Sequence, residues 1–249
     1  MAGHSKFKNI MHRKGAQDKK RAKLFSRLIR EISVAAKLGG VEPDSNPRLR
    51  TAVNNALSSN MSKENIERAI KKNNSSDENI IEEIVYEGFG PGGVAILVES
   101  LTDNRNRSAS EVRAAFSKFN GNLGISGCVK HFFEKRGLIS YSKEVEKFDS
   151  FFEFCLSIDV KDLNELESSY EIITSVQTYH QILEKLEKKF SFPNFSNVEW
   201  SPTSFVEVGN ENDVKNLFKL LEKLEDLDDV QNVSSNFNVN DSLMEQIID

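Results

Sequence analysis

The hydrophobic period of this chain changes at one polar stretch, and that change limits the folds open to it. Before residue 73 apolar residues recur every three or four positions, whereas beyond residue 79 short strand-like runs alternate with helical ones. The seven residues between, 73–79, are all polar and read as a linker. A helical part is therefore followed by a part that mixes strands with helices.

In the first part Ala22, Phe25, Ile29, Ile32 and Ala36 form the stripe of an amphipathic helix that Gly39 and Gly40 end. Lys20, Lys23, Arg27 and Arg30 fall on nearly the opposite side of that helix. A second helix starts with Asn46 as N-cap and Pro47 at its first position, burying Leu49, Val53, Ala56 and Leu57. A third starts at Ser62, with Met61 and Ile66 at the spacing of a hydrophobic staple.

Past the linker, residues 81–86 and 94–100 read as strands joined by the glycine-rich turn 88–93. Ser108 and Glu111 suggest a capping box ahead of a helix that turns Val112, Phe116 and Phe119 inward. Residues 129–133 and 138–141 suggest a hairpin turning near Arg136 and Gly137. Helices over 148–158, 179–189 and 214–224 follow, with strands near 160, 170–174, 198–200, 205–208 and 230–239.

The net charge of −5 conceals a division. Residues 1–72 hold 17 lysines and arginines against 6 acids, and residues 73–249 hold 16 against 32, a net of −16. A basic end on an acidic chain points to a polyanionic partner. His4, Lys6, Phe7, Lys8, His12, Arg13 and Lys14 precede the first helix, Lys19, Lys20, Arg21 and Lys23 open it, and Arg27 and Arg30 extend its cationic side. The cations neutralise phosphates, while Phe7 and the histidines suit stacking on exposed bases. Lysines in a helix's first turn oppose its dipole, a cost that a bound polyanion relieves. Charge alone does not choose between DNA and RNA.

Secondary contacts fall on Gly90 and Gly92 in the turn and on Arg105 and Arg107 in the segment 103–107. The turn lacks the order of a phosphate-binding loop and leads into a strand, so it reads mainly as a tight turn needing positive φ. The two arginines suit either phosphate or acidic neighbours.

Other chemistry is not signalled. The four histidines and the cysteines Cys128 and Cys155 do not gather at metal-ligand spacing, and no nucleophile elbow or HExxH run occurs. The acids around 222–229 read as a solvated face. The expectation is a non-enzymatic protein with no cofactor, no metal and no small-molecule substrate. No apolar run is long enough to span a bilayer, and no apolar block follows the basic start. The chain is thus expected in the cytoplasm with reduced thiols.

Several long motifs then carry a resemblance. They include Met1-Ala-Gly-His-Ser-Lys-Phe-Lys-Asn-Ile10, Ala35-Ala-Lys-Leu-Gly-Gly40, Asn46-Pro-Arg-Leu-Arg50, Tyr86-Glu-Gly-Phe-Gly-Pro-Gly-Gly-Val94, Leu101-Thr-Asp-Asn-Arg-Asn-Arg107, Gly121-Asn-Leu-Gly124 and Leu224-Glu-Asp-Leu-Asp-Asp-Val-Gln-Asn-Val233. Together they resemble the YebC/PmpR family across nearly the whole chain, least over 140–205. The resemblance implies an α+β multidomain fold: an N-terminal three-helix domain, then two small α+β domains, the third inserted into the second. The expected divisions are 1–78, 79–141 with 203–238, 142–202 and a tail at 239–249. It also implies a DNA-binding transcriptional regulator. The alternatives are a ribosome-associated translation factor that binds ribosomal RNA, or a protein-interaction module. Phe7 stands where many relatives carry Trp, which keeps stacking and loses an indole hydrogen bond.

Overall fold

The computed structural model describes residues 17–71, 81–240 and 243–244, with side chains from Arg21 onward. In chain order the helices α1 (Gln17–Gly39), α2 (Pro47–Ser58) and α3 (Lys63–Lys71) come first. Then come β1 (Glu82–Phe89), β2 (Ala95–Thr102), α4 (Arg105–Lys118), β3 (Asn122–Leu123), β4 (Phe133–Ser142) and α5 (Phe148–Ser157). They are followed by β5 (Asp162–Glu165), β6 (Ser169–Thr174), α6 (Tyr179–Phe190), β7 (Phe195–Pro202), β8 (Val206–Glu207), α7 (Glu211–Glu225), β9 (Val230–Ser235) and β10 (Phe237–Asn238). The described residues form two units, within Met1–Arg27, Glu78–Glu134 and Trp200–Asp249 for the first and Leu28–Asp77 and Lys135–Glu199 for the second.

In the first unit a four-stranded sheet has the order β3-β1-β2-β9, with all three pairings antiparallel. The unbroken apolar run at 94–98 is explained by burial on both faces of β2. Ile96 and Val98 pack with Val112 and Phe116 of α4 and Leu217, Leu220 and Leu224 of α7, while Ala95 and Leu97 pack with Val129 and Phe133. The β1–β2 turn closes through Gly93 N–H to Gly90 O at 3.2 Å, with Gly92 and Gly93 at φ +72° and +75°. The sheet is completed by β9, more than 100 residues beyond β3, so the α+β segment from β4 through β7 is an insertion.

The second unit holds a sheet of order β5-β6-β4-β7 covered by α5 and α6. The three N-terminal helices belong to the same unit from Leu28 onward. Asn46 is buried between α1 and α2: its Oδ1 accepts from Leu49 N–H at 3.1 Å, and its Nδ2 donates to Ala35 O at 2.7 Å and Gly40 O at 2.8 Å. A two-bond pair between Arg48 and Glu31 ties the same helices. The edge strand β7 is met by α2, where Asn55 donates to Ser196 O at 2.7 Å and accepts from Ser196 N–H at 3.1 Å. That side chain satisfies the exposed ladder of an edge strand much as another strand would.

Three local expectations are corrected. Leu57 is exposed, since α2 buries Leu49, Ala52, Asn54 and Ala56. No hairpin turns at Arg136 and Gly137, because Phe133–Ser142 is one strand. Gly137 sits opposite Thr174, and a Cβ there would lie 2.2 Å from Thr174 Oγ1 and 2.4 Å from Tyr179 Cδ2. Its glycine serves close approach inside a sheet, not a turn. Helix α4 begins at Arg105, with Asn104 as N-cap accepting from Arg107 N–H at 3.0 Å, so Ser108 lies buried within the helix and is not its cap.

Glu87 is a buried anchor in the first unit, only 3% exposed. Its carboxylate accepts from Gly127 N–H at 2.7 Å and from Val129 and Lys130 N–H at 2.9 Å each. Burial alone would raise its pKa, but these three donors and the Lys130 charge outweigh it and hold the carboxyl below its usual range. A depressed folded pKa contributes stability above the unfolded value, lost as pH falls through the folded one. Glu87→Gln is therefore expected to cost about 1–2 kcal/mol at neutral pH. Urea titrations from pH 7 down to pH 3 should show the gap between wild type and variant closing on acidification. A constant gap would rule the carboxylate out as its source.

Candidate nucleic-acid interface

Helix α1 is assembled from strong helix formers, and its apolar stripe is deepest in its C-terminal half, where Ile32, Ala35 and Ala36 are buried. His4, Lys6, Phe7, Lys8, His12, Arg13 and Lys14 lie outside the described residues, as do the side chains of Lys19 and Lys20. Arg21 is exposed, its guanidinium 5.3 Å from the Phe25 ring centroid.

The next cations of the helix face the end of α7. Lys23 Nζ lies 3.1 Å from Asp226 Oδ1, and Arg27 Nη2 donates to Glu225 O at 2.5 Å. The last carbonyls of a helix lack intrahelical partners and carry partial negative charge, so Arg27 satisfies one of them. Burial pushes the Lys23 ammonium below the ordinary lysine range, with Asp226 offsetting part of that effect. Burial likewise lowers Arg27. Arg30 is half-buried and is engaged as well. Of the cationic face expected from the helical wheel, Lys23 and Arg27 thus hold the helix in place, Arg30 is half-buried, and the Lys20 side chain lies outside the described residues.

Sequence reading missed the acidic turn that does this holding. Asp229 is 3% exposed at its side chain and accepts from Thr102 Oγ1 at 2.9 Å and from Arg107 Nη2 at 2.9 and 3.1 Å. Arg107 also donates to Asp103 Oδ1 at 2.8 Å, and the Asp229 and Asp103 hydrogen bonds raise its pKa above the ordinary arginine value. Of the two readings open for Arg107, the pairing with acidic neighbours is the one present. Arg105 is exposed and has no ion pair among the described residues, and Arg113 and Lys118 are exposed further along α4. A signal for the acidic turn did exist: acids crowd the C-terminal end of α7, where the helix dipole disfavours them and a cationic partner relieves the cost.

In the glycine turn, Gly90 is buried, and a Cβ on it would lie 2.9 Å from Ile96 Cδ1. Gly92 is exposed and faces Val208. No group of His, Cys, Asp and Glu able to hold a metal occurs among the described residues. Burial pushes the Cys155 thiol up to about 12, and burial with nearby Glu87 raises Cys128, so neither is an activated nucleophile. Among the described residues no helix is long and apolar enough to cross a membrane.

Arg27→Ala is expected to lower stability by about 1–2 kcal/mol through loss of a charged hydrogen bond. The salt slope of nucleic-acid binding should stay unchanged, because Arg27 is spent on Glu225. A slope reduced by about one unit would instead make Arg27 a phosphate contact.

Known proteins align with this architecture throughout. Residues 5–76 match the family model described as the TACO1/YebC protein N-terminal domain, and residues 81–237 match the TACO1/YebC second and third domain. A probable transcriptional regulatory protein of Geobacter sulfurreducens is 48% identical over 250 residues, covering 100% of both chains. One of Zymomonas mobilis is 49% identical over 247 residues, covering 99% of each. The crystal structure of a conserved hypothetical protein from Aquifex aeolicus is similar with a TM-score of 0.84 at 44% identity, covering 90% of this chain and 93% of that one.

Proposed function

The chain belongs to the TACO1/YebC family over nearly its whole length, and we propose that it is a non-enzymatic regulator of gene expression that binds nucleic acid through its basic N-terminal region. The observation that carries this reading is the division of charge, +11 over residues 1–72 against −16 over the remainder. Polyanion binding concentrates at the one end that attracts it. The contact is made by His4, Lys6, Phe7, Lys8, His12, Arg13, Lys14, Lys19, Lys20 and Arg21, with Lys23 and Arg27 setting the direction of α1. Arg105 adds a second contact from the start of α4.

The relatives are named as probable transcriptional regulatory proteins, which supports a DNA target. A second reading, a ribosome-associated factor that meets ribosomal RNA, draws on the acidic remainder of the chain. A long duplex lying across that surface would be repelled, whereas a short basic end can enter RNA while the acidic domains face protein. We place the domain divisions at 1–78, 79–134 with 200–238, and 135–199, a reading supported by the pairing of β4 with β6 that moves the first edge of the insertion from 142 to 135, and the protein in the cytoplasm.

Ultraviolet crosslinking in cells, with sequencing of DNA and RNA targets, decides between the two. Promoter DNA without ribosomal RNA would end the ribosomal reading. Defined ribosomal RNA positions would end the transcriptional one. Absence of both nucleic acids from the crosslinks would overturn the proposal.

A further inference from the structure

Helix α5 of the inserted domain carries more aromatic surface than its core uses. Its sequence is Phe-Asp-Ser-Phe-Phe-Glu-Phe-Cys-Leu-Ser. Phe151 and Cys155 take the core-facing side, packed with Tyr141, Tyr170 and Leu186. Phe148, Phe152 and Leu156 follow at intervals of four and run along another line of the same helix. Phe152 is 40% exposed and Leu156 63% exposed. The Phe148 and Phe152 rings stack with centroids 5.8 Å apart and planes inclined by 27°. Such a ridge leaves large apolar side chains in water at a cost of about 25 cal/mol per Å².

The charge beside the ridge has an acidic excess, with Lys147 and Lys189 on the far side of the acids. Asp149 and Glu153, also four apart, lie next around the helix, are exposed and have no ion pair among the described residues. Beyond them an open groove of about 460 Å³ is lined by Glu146, Ser150, Glu153, Phe154, Lys189 and Phe190. The Phe154 and Phe190 rings meet edge to face at 5.2 Å on its wall. Asp149 and Glu153, which lie directly against the ridge, disfavour phosphate and anionic lipid there. A chain segment with an apolar stripe flanked by lysines or arginines complements the ridge and the border together.

We propose that the ridge Phe148, Phe152 and Leu156 with the acids Asp149, Glu153 and Glu146 is a docking site for a basic amphipathic segment of a partner protein. The apolar stripe of the segment covers the ridge, and its cations lie against the three carboxylates, with aliphatic stems along Phe154 and Phe190. Two charged regions then have separate tasks: the basic end meets nucleic acid, and this acidic face meets protein. The docking site stands independently of the choice between DNA and RNA.

The test uses the full-length protein and a fluorescein-labelled 18-residue helical peptide of leucine and lysine, titrated by fluorescence anisotropy at 0.15 M salt. Phe152→Ser with Leu156→Ser, and separately Asp149→Lys with Glu153→Lys, should each weaken binding at least tenfold. All four side chains are exposed, so melting temperatures should stay within a few degrees of wild type. Glu111→Lys with Glu222→Lys makes the same change in net charge elsewhere and should leave the affinity within twofold. An equal loss in that control would reduce the effect to overall charge and overturn the proposal. It would also be overturned by equal binding of a leucine–glutamate peptide.

Discussion

Alanine at Lys6, Lys8, Arg13 and Lys14 together is expected to weaken nucleic-acid binding on the order of a thousandfold at 0.15 M salt. Each phosphate neutralised on duplex DNA contributes about 0.9 to the slope of log affinity against log salt, which at this concentration is roughly fivefold per contact. Four contacts multiply to about three decades, and the slope should fall by about 3–4 units. The measurement is a titration at several salt concentrations with DNA and RNA oligonucleotides. Folding should be unaffected, since these changes remove like charges from a segment with a large excess of them. A variant that keeps both affinity and slope would move the interface away from the N-terminus. A variant that loses affinity without a change of slope would show that these four side chains act otherwise than by neutralising phosphates.

Asp229→Ala is expected to be the most damaging single polar substitution, at about 3 kcal/mol. The carboxylate is almost fully buried and is shared by Thr102 and Arg107, and its own backbone C=O accepts from Leu101 N–H at 2.9 Å. Removing it leaves the Thr102 hydroxyl without its acceptor and Arg107 tied only to the exposed Asp103. Asp229→Asn keeps an acceptor of similar shape and should cost about half as much. The readout is the urea midpoint at constant m-value. A double-mutant cycle with Arg107→Met should return a coupling of about 1–2 kcal/mol, and additivity would refute the shared cluster.

The parts of the fold that follow from local rules were legible. Asn46 and Pro47 mark the start of α2 because a cap and a first-turn proline act within a few residues of each other. The β1–β2 turn was legible because positive φ at Gly92 and Gly93 is a backbone requirement. Gly137 misled because a glycine needed for a neighbour's close approach looks, in sequence, like a glycine needed for a turn. Ser108 misled for a related reason: the capping-box spacing fits it, but tertiary packing buries it inside a helix that Asn104 caps. In the candidate interface, the run of cations at the start of the chain was plain. What could not be read was which of them α7 would engage, since Lys23 and Asp226 are 203 residues apart. The acids at 225–229 were mistaken for a solvated face for the same reason.

That separation in sequence has a consequence for synthesis. Asn55 awaits Ser196, 141 residues later, and Lys23 awaits Asp226. At roughly 5–20 residues per second, the partner of Lys23 is made about 10–40 s after the lysine itself. The first helices to be translated are therefore among the last to be fastened, because their long-range contacts close only when the end of the chain arrives. Throughout that interval the nascent protein presents its cations without their acidic counterparts, beside the RNA of the ribosome that is making it.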